Sequence, residues 1–283
     1  MKKIRKYAIA ALGIALMATS CQKMDKPALG DYPEDVNVPG GPLKFYAAFD
    51  GTTDNPLKNA VDSIRANYPV DNPLTSIDGI SGKAVKGENK KFLQYPKPND
   101  WAAASKAFTI SAWYRKDGQT KNNEGTNGPE YLMSFKSSNG HWSGGSMLFF
   151  LEGNNTACAV KVMVVDANMA DAWWTWETAD DMIPGLLDNQ WHHIALVYNN
   201  TNSTVTLYID GVANPKTREW GGHGDINFDD SKISEFRIGA GPGTEYDSDD
   251  WLSSSFKGDL DQVRMYSVAL TGAEINELFT QRK

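Results

Sequence analysis

An all-β fold, an antiparallel β-sandwich with a short C-terminal helix, is predicted for residues 43–283. Two observations predict it. Apolar residues recur with a period of two in segments bounded by Gly, Asn, Asp and Pro, the pattern of half-buried antiparallel strands. Helical periodicity is almost absent until the C-terminus. The clearest case is the hairpin at residues 191–211. Thr204 to Asp210 alternates, with Val205, Leu207 and Ile209 on one face and Thr204, Thr206, Tyr208 and Asp210 on the other. Trp191 to Tyr198 is apolar on both faces, so it belongs deeper in its sheet. Asn199 to Ser203 is the polar turn between them, and Asp210-Gly211 ends the hairpin at a second turn.

From the N-terminus, Met1 to Ser20 reads as an export signal: Lys2, Lys3, Arg5 and Lys6 precede an apolar run, Tyr7 to Ala18, that is too short to span a membrane. Ala18, Thr19 and Ser20 lead into Cys21, a pattern that resembles a bacterial lipobox with Cys21 as the lipidated residue. The Pro-, Gly- and Asp-rich segment 21–42 is expected to be a flexible tether. Lys23-Met24-Asp25-Lys26 resembles the charged signal that sends lipoproteins to the outer cell face. An outer-membrane, lipid-anchored protein facing the exterior is therefore expected, bound to the membrane through the lipid alone, with outer-membrane transport proteins as partners.

The remaining chain is long enough for one large β domain. It is also acidic. The 28 Lys and Arg include four in the leader, so 24 remain against 35 Asp and Glu. With no basic cluster, a nucleic-acid partner is not expected. If Cys21 is lipidated, Cys158 is the only thiol left and cannot form an intramolecular disulfide. Its apolar neighbours suggest a buried, inert side chain.

Within the domain, Leu43 to Phe49 is the first expected strand, stopped by Asp50-Gly51. Thr52 to Gly82 is irregular, with a short helix expected at Leu57 to Ala66. Lys91 to Tyr95, Phe108 to Arg115, Tyr131 to Lys136, Ser146 to Glu152 and Ala159 to Asp166 follow as strands, with Lys116 to Glu130 a polar loop. Phe236 to Gly241 is a strand entering a glycine-rich turn. Phe256 to Tyr266 is the last strand. Thr271-Gly272-Ala273-Glu274 is a capping box that opens a helix with Ile275, Leu278 and Phe279 on its apolar side.

Four of these stretches carry a family resemblance. They are Trp191-His192-His193-Ile194-Ala195 running on to Tyr208-Ile209-Asp210-Gly211, Phe108-Thr109-Ile110-Ser111-Ala112-Trp113, Phe236-Arg237-Ile238-Gly239-Ala240-Gly241, and Phe256-Lys257-Gly258-Asp259-Leu260-Asp261-Gln262-Val263-Arg264-Met265-Tyr266. Together they resemble the laminin G-like group of concanavalin A-like lectin/glucanase domains. The resemblance implies a jelly roll of two curved sheets. It also implies a structural Ca²⁺ between the first and last strands, at positions matching Asp50 and Asp261, for which hard oxygen ligands are suited.

Glycosidases of the related glucanases place Glu-x-Asp-x-Glu carboxylates on one strand face, close enough for acid and nucleophile. No such run occurs here. Adjacent His192 and His193 point to opposite faces of a strand, and no His-x-x-x-His, Cys-x-x-Cys or Gly-x-Ser-x-Gly occurs. The nine tryptophans are more informative. Trp113 and Trp191 lie on strands and are expected to be structural. Trp142, Trp174, Trp176, Trp220 and Trp251 lie in segments that read as loops, near His141, His223 and Asp249. Alternation sets Trp174 and Trp176 on one face and Trp173 on the other. Indole faces stack on sugar rings while neighbouring polar groups bind hydroxyls, so these eight residues form the expected ligand site. The leading reading is a non-catalytic carbohydrate-binding surface lipoprotein serving glycan capture. A glycoside hydrolase or lyase on the same fold, and a protein-binding adhesion module, stay open.

Overall fold

The computed structural model describes residues 40–50, 61, 74–98, 100–120, 128–243 and 250–282. The export signal, Cys21, the tether to residue 39, the helix expected at 57–66 apart from Val61, and Asp249 lie outside the described residues.

Fifteen strands and two short helices follow in order among the described residues: β1 (Leu43–Ala47), β2 (Thr75–Asp78), β3 (Lys83–Lys86), β4 (Leu93–Tyr95), α1 (Trp101–Ala104), β5 (Phe108–Asp117), β6 (Glu130–Ser137), β7 (Gly145–Gly153), β8 (Cys158–Val165), β9 (Asp171–Trp176), β10 (Asp188–Asn199), β11 (Thr204–Ile209), β12 (Val212–Ala213), β13 (Arg218–Glu219), β14 (Ile233–Ile238), β15 (Asp259–Tyr266) and α2 (Gly272–Gln281). They form two antiparallel sheets. The larger runs β12-β11-β10-β5-β15-β3-β2, with β1 added beside β15 and β13 beside β11. The smaller runs β4-β14-β6-β7-β8-β9.

The core lies between the sheets. Phe108, Ile110, Ala112 and Tyr114 of β5 and Ile194, Leu196 and Tyr198 of β10 come from the larger sheet. Met147, Phe149 and Leu151 of β7 and Val160, Val162 and Val164 of β8 meet them from the smaller one. These are the alternate positions of each strand, as a period of two requires. The expected hairpin is β10–β11, with Ile194 opposite Ile209 and Tyr198 opposite Val205. Its turns carry the left-handed residues Ser203 (φ 56°), Asp210 (φ 50°) and Gly211 (φ 78°). Cys158 is buried, and burial pushes its thiol up to about 12, consistent with an inert side chain.

The outer faces of the two sheets are covered differently. On the larger sheet, α2 buries Ile275 against Ala195 and Val197, and Phe279 stacks on Trp113 at 5.5 Å and 19°. The capping box at Thr271 and Glu274 forms with both of its hydrogen bonds. No α-helix among the described residues lies on the smaller sheet's outer face. It carries an apolar cluster of its own, Tyr131, Leu148, Phe150, Met163 and Val165, with Trp251 and Leu252 packed against it.

Three elements depart from the sequence reading. Residues 171–176 form the edge strand β9 rather than a loop. β2 lies inside the stretch read as irregular. Helix α1 brings Trp101 into the core, where its indole N–H donates to the Tyr266 carbonyl at 2.9 Å.

Candidate functional site

β9 determines which tryptophans are available. Trp174 pairs in register with Val162 and Trp176 with Val160, both core-facing residues of β8. Trp174 and Trp176 therefore point inward and are fully buried. Trp174 stacks on Tyr198 at 5.5 Å. The indole N–H of Trp176 donates to the Lys216 carbonyl at 2.7 Å, and the Arg218 guanidinium lies over its ring. This corrects the expectation that these two belong to a ligand site: two indoles on one face of an edge strand bury more apolar area by facing the core than by facing water. Trp173, on the opposite face, is 38% exposed.

Trp173 is joined on the outer face of the smaller sheet by two of the expected tryptophans. Trp251 lies 6.4 Å from Trp173 and 6.1 Å from Trp142, ring centre to ring centre. Phe150 lies beneath, 5.8 Å from Trp251 and 6.4 Å from Trp173. Trp142, in the β6–β7 turn, is 61% exposed. Trp251 opens a single 3₁₀ turn, Trp251–Ser253, capped by the Asp250 carboxylate, which accepts from the Leu252 N–H at 3.2 Å. The glycine-rich run after β14 holds that turn in place. Gly243 N donates to Leu252 O at 2.8 Å and Gly241 N to Ser254 O at 3.0 Å. A Cβ at Gly241 would collide with the Leu252 carbonyl and the Tyr131 ring, so a side chain there would force Trp251 away.

Three of these rings, Phe150, Trp173 and Trp251, line a cavity of about 340 Å³ together with Glu152, Lys161, Thr175 and Glu177; Trp142 adjoins it through Trp251. Its floor is a charged row across three strands. The Lys161 ammonium lies 2.8 Å from Glu152 and 2.6 Å from Glu177. The hydrogen bond from Lys161 holds the Glu177 carboxyl below its usual range. Burial works against the Lys161 charge, but its two carboxylate partners outweigh that and raise its pKa. The site thus presents aromatic walls over a polar floor with spare carboxylate oxygens.

The other expected residues lie elsewhere or act differently. His141 is nearly buried, with one ring nitrogen 2.8 Å from the Ser143 hydroxyl and the other 3.7 Å from Asp171. It ties the Trp142 turn to β9. Trp220 stacks on His223 at 3.7 Å and packs against Trp174 on the core side of the sheet. The His223 ring lies 3.1 Å from Asp166. That pair is not joined to the aromatic cavity. Sequence reading missed Glu152, Lys161, Trp173 and Glu177. For Trp173 a signal existed, because its strand face also carries Asp171 and Thr175, and Glu177 follows directly after the strand.

Asp50 and Asp261 do come together, at the turn between β2 and β3. The last strand changes partner at Asp261: Leu260 pairs with β3 and Val263 with β1. Asp261 accepts from Ile80 N at 2.9 Å and Asp50 from Lys83 N at 2.6 Å. The other Asp261 oxygen is buried without a hydrogen-bond partner. Burial, with Asp50 adding repulsion, pushes the Asp261 carboxyl up to about 7. Gly79 and Gly82 leave room for the two carboxylates that a Cβ at either position would fill. An orphaned buried oxygen beside a second carboxylate suits a hard cation. Among the described residues, no third His, Cys, Asp or Glu completes the group.

Comparison with known proteins places this architecture. A family model described as the concanavalin A-like lectin/glucanases superfamily matches residues 88–276. No curated protein sequence matches significantly. Among solved structures, domain 4 of AbnA, a GH43 extracellular arabinanase from Geobacillus stearothermophilus solved with arabinotriose, superposes with a TM-score of 0.53 at 18% identity, covering 83% of this chain and 97% of that one. The botulinum neurotoxin serotype G binding domain superposes with a TM-score of 0.57 at 13% identity, covering 85% of this chain and 51% of that one. The binding domain of Paraclostridial Mosquitocidal Protein 1 superposes at 0.55 with 19% identity, covering 85% and 52%. At these identities the structural likeness speaks to the fold alone. With the family match spanning most of the chain, two antiparallel sheets around one core and the motif strands in their expected places, the chain belongs to the concanavalin A-like lectin/glucanase superfamily.

Proposed function

We propose that this protein is a non-catalytic carbohydrate-binding protein that captures oligo- or polysaccharide on the outer face of its smaller sheet. The observation that carries the reading is the pair Trp173 and Trp251 lining a cavity with a polar floor, with the exposed Trp142 ring beside Trp251. Indole faces would stack on sugar rings, and the carboxylate oxygens of Glu152 and Glu177 would accept from sugar hydroxyls. The arabinotriose complex of the arabinanase domain, a similar fold, supports this reading. A concave, charged floor suits a glycan better than the flat apolar patch expected of an adhesion surface. Glu152 and Glu177 are close enough to suggest a hydrolase pair. However, the Lys161 ammonium sits between them, where a reacting sugar carbon would have to lie, and its hydrogen bond holds the Glu177 carboxyl in the ionised form, which cannot serve as general acid.

The test is a glycan-array screen of the purified protein, followed by affinity measurements on Trp142→Ala and Trp173→Ala. Each stacked indole contributes on the order of 1–3 kcal/mol, so each variant should bind roughly tenfold more weakly or worse, with its melting temperature within a few degrees of wild type. Unchanged affinity in both variants would place the glycan site elsewhere. Release of reducing sugar from the bound glycan would restore the hydrolase reading.

Two further parts of the reading concern the anchor and the ion. Cys21 carries the lipid that holds the protein at the outer membrane, so Cys21→Ala should shift it into the soluble fraction; unaltered membrane fractionation would count against this. Asp50 and Asp261 hold Ca²⁺, with backbone oxygens and water completing the shell. Since a ligand of the folded state stabilises it by mass action, EDTA should lower the melting temperature of the wild type. Asp261→Asn should abolish that sensitivity. Identical melting curves with and without chelator, and no metal in the purified protein, would remove the ion.

A further inference from the structure

A second, larger cavity of about 590 Å³ opens at one end of the nine-stranded sheet. Its chemistry is the reverse of the aromatic site. Lys86, Arg115, Lys116 and Lys257 line it, with Asp117 and Asp259. Arg115 and Asp259 neutralise one another at 2.6 Å. That leaves three ammonium groups, two of them deeply buried: the Lys116 side chain is 2% exposed and that of Lys257 9%.

The buried lysines share one carboxylate. Glu130, itself fully buried, lies 3.5 Å from Lys116 and 3.8 Å from Lys257. Its oxygens also accept from the backbone, one from Thr120 N at 2.8 Å and the other from Lys257 N at 2.9 Å. Among the described residues, the Lys257 ammonium has one close acceptor, the Ser255 carbonyl at 2.8 Å. Burial and the neighbouring Lys116 charge lower the Lys257 pKa despite Glu130. Among the described residues, the two buried ammonium groups, Lys116 and Lys257, face one buried carboxylate, Glu130, which leaves one positive charge in excess there. Burying an uncompensated charge is costly, and it stands out in a chain of net charge −7.

We propose that this cavity is a second ligand site, for an oxyanion: the carboxylate or sulfate of an acidic saccharide, or free sulfate or phosphate. The anion would take charge-assisted hydrogen bonds from Lys257 and Lys86 and supply the missing negative charge. The site is independent of the aromatic cavity and takes ligands of the opposite polarity.

Calorimetric titration of the purified full chain at low salt tests it, with sulfate, phosphate, glucuronate and glucose 6-sulfate as probes and glucose as the neutral control. Saturable anion binding is expected, weakening as ionic strength rises. Lys257→Met should reduce it tenfold or more, and Lys86→Ala severalfold, while Trp173→Ala leaves it unchanged. Should Lys257→Met fail to fold, the exposed Lys86→Ala variant carries the test. Tighter binding of the two acidic sugars identifies a saccharide ligand, and tighter binding of sulfate or phosphate a free oxyanion; either supports the site. No saturable binding of any anion, or wild-type affinity in both folded lysine variants, would overturn it.

Discussion

Replacing Trp174 by Ala should cost about 3–5 kcal/mol of stability, the usual range for truncating a buried tryptophan, whereas Trp173→Ala, one residue away, should cost far less. Trp174 is fully buried, stacks on Tyr198 and lies 6.3 Å from Phe108 on the facing sheet. Removing it leaves a cavity between two sheets whose strands are locked in register and cannot collapse to fill it. In a domain of this size the loss corresponds to a melting-temperature drop on the order of 10 °C. Trp173 projects the other way and gives up only a partly exposed contact with Phe150 and Trp251. Urea denaturation of the two variants separates the roles. Equal destabilisation by both would mean that β9 is not seated as described and that Trp173 is not a surface residue.

Acidification should destabilise the protein through His193, by up to about 3 kcal/mol between pH 6.5 and 4. His193 is completely buried under α2, 5.3 Å from Trp113 and 6.4 Å from Phe279. Burial, with the Arg264 charge adding to it, lowers its pKa from 6.5 to about 4. The folded chain thus refuses a proton that the unfolded chain accepts below about pH 6.5. Stability from this group is complete above that pH and falls as pH drops towards 4. His192 behaves oppositely. Asp210 at 2.9 Å, the larger influence, and Asp188 at 3.0 Å raise its pKa despite burial. Its contribution is fully present below about pH 6.5 and is lost as pH rises through its elevated folded value. Denaturation at pH 4.5, 6 and 8 checks both. His193→Leu should flatten the acid side of the profile, and His192→Gln should lower stability at pH 6 more than at pH 8. An acid slope in His193→Leu as steep as in wild type would show that other groups cause it.

The two histidines also show what a sequence can convey. Adjacent residues of a strand face opposite ways, so their separation into different environments was legible from alternation alone. The hairpin at 191–211, the last strand and its capped helix were legible for the same reason: their alternation, turn residues and capping box are local signals, and the fold satisfies each locally. The pairing of Asp50 with Asp261 was available only through family resemblance, since nothing local joins residues so far apart in the chain. The identity of the site was the least legible part. Alternation separated Trp173 from Trp174 and Trp176, but which of the two faces meets the core depends on the register of β9 against Val160 and Val162 of β8. Glu152, Lys161 and Glu177 become one charged row only when three strands align. Trp251 reaches that row because two glycines let its turn approach the sheet. Alternation and turn chemistry act between near neighbours, and they determined the strands. Register and close backbone approach act between distant segments, and only the tertiary structure decided which indoles meet solvent and which carboxylates meet each other.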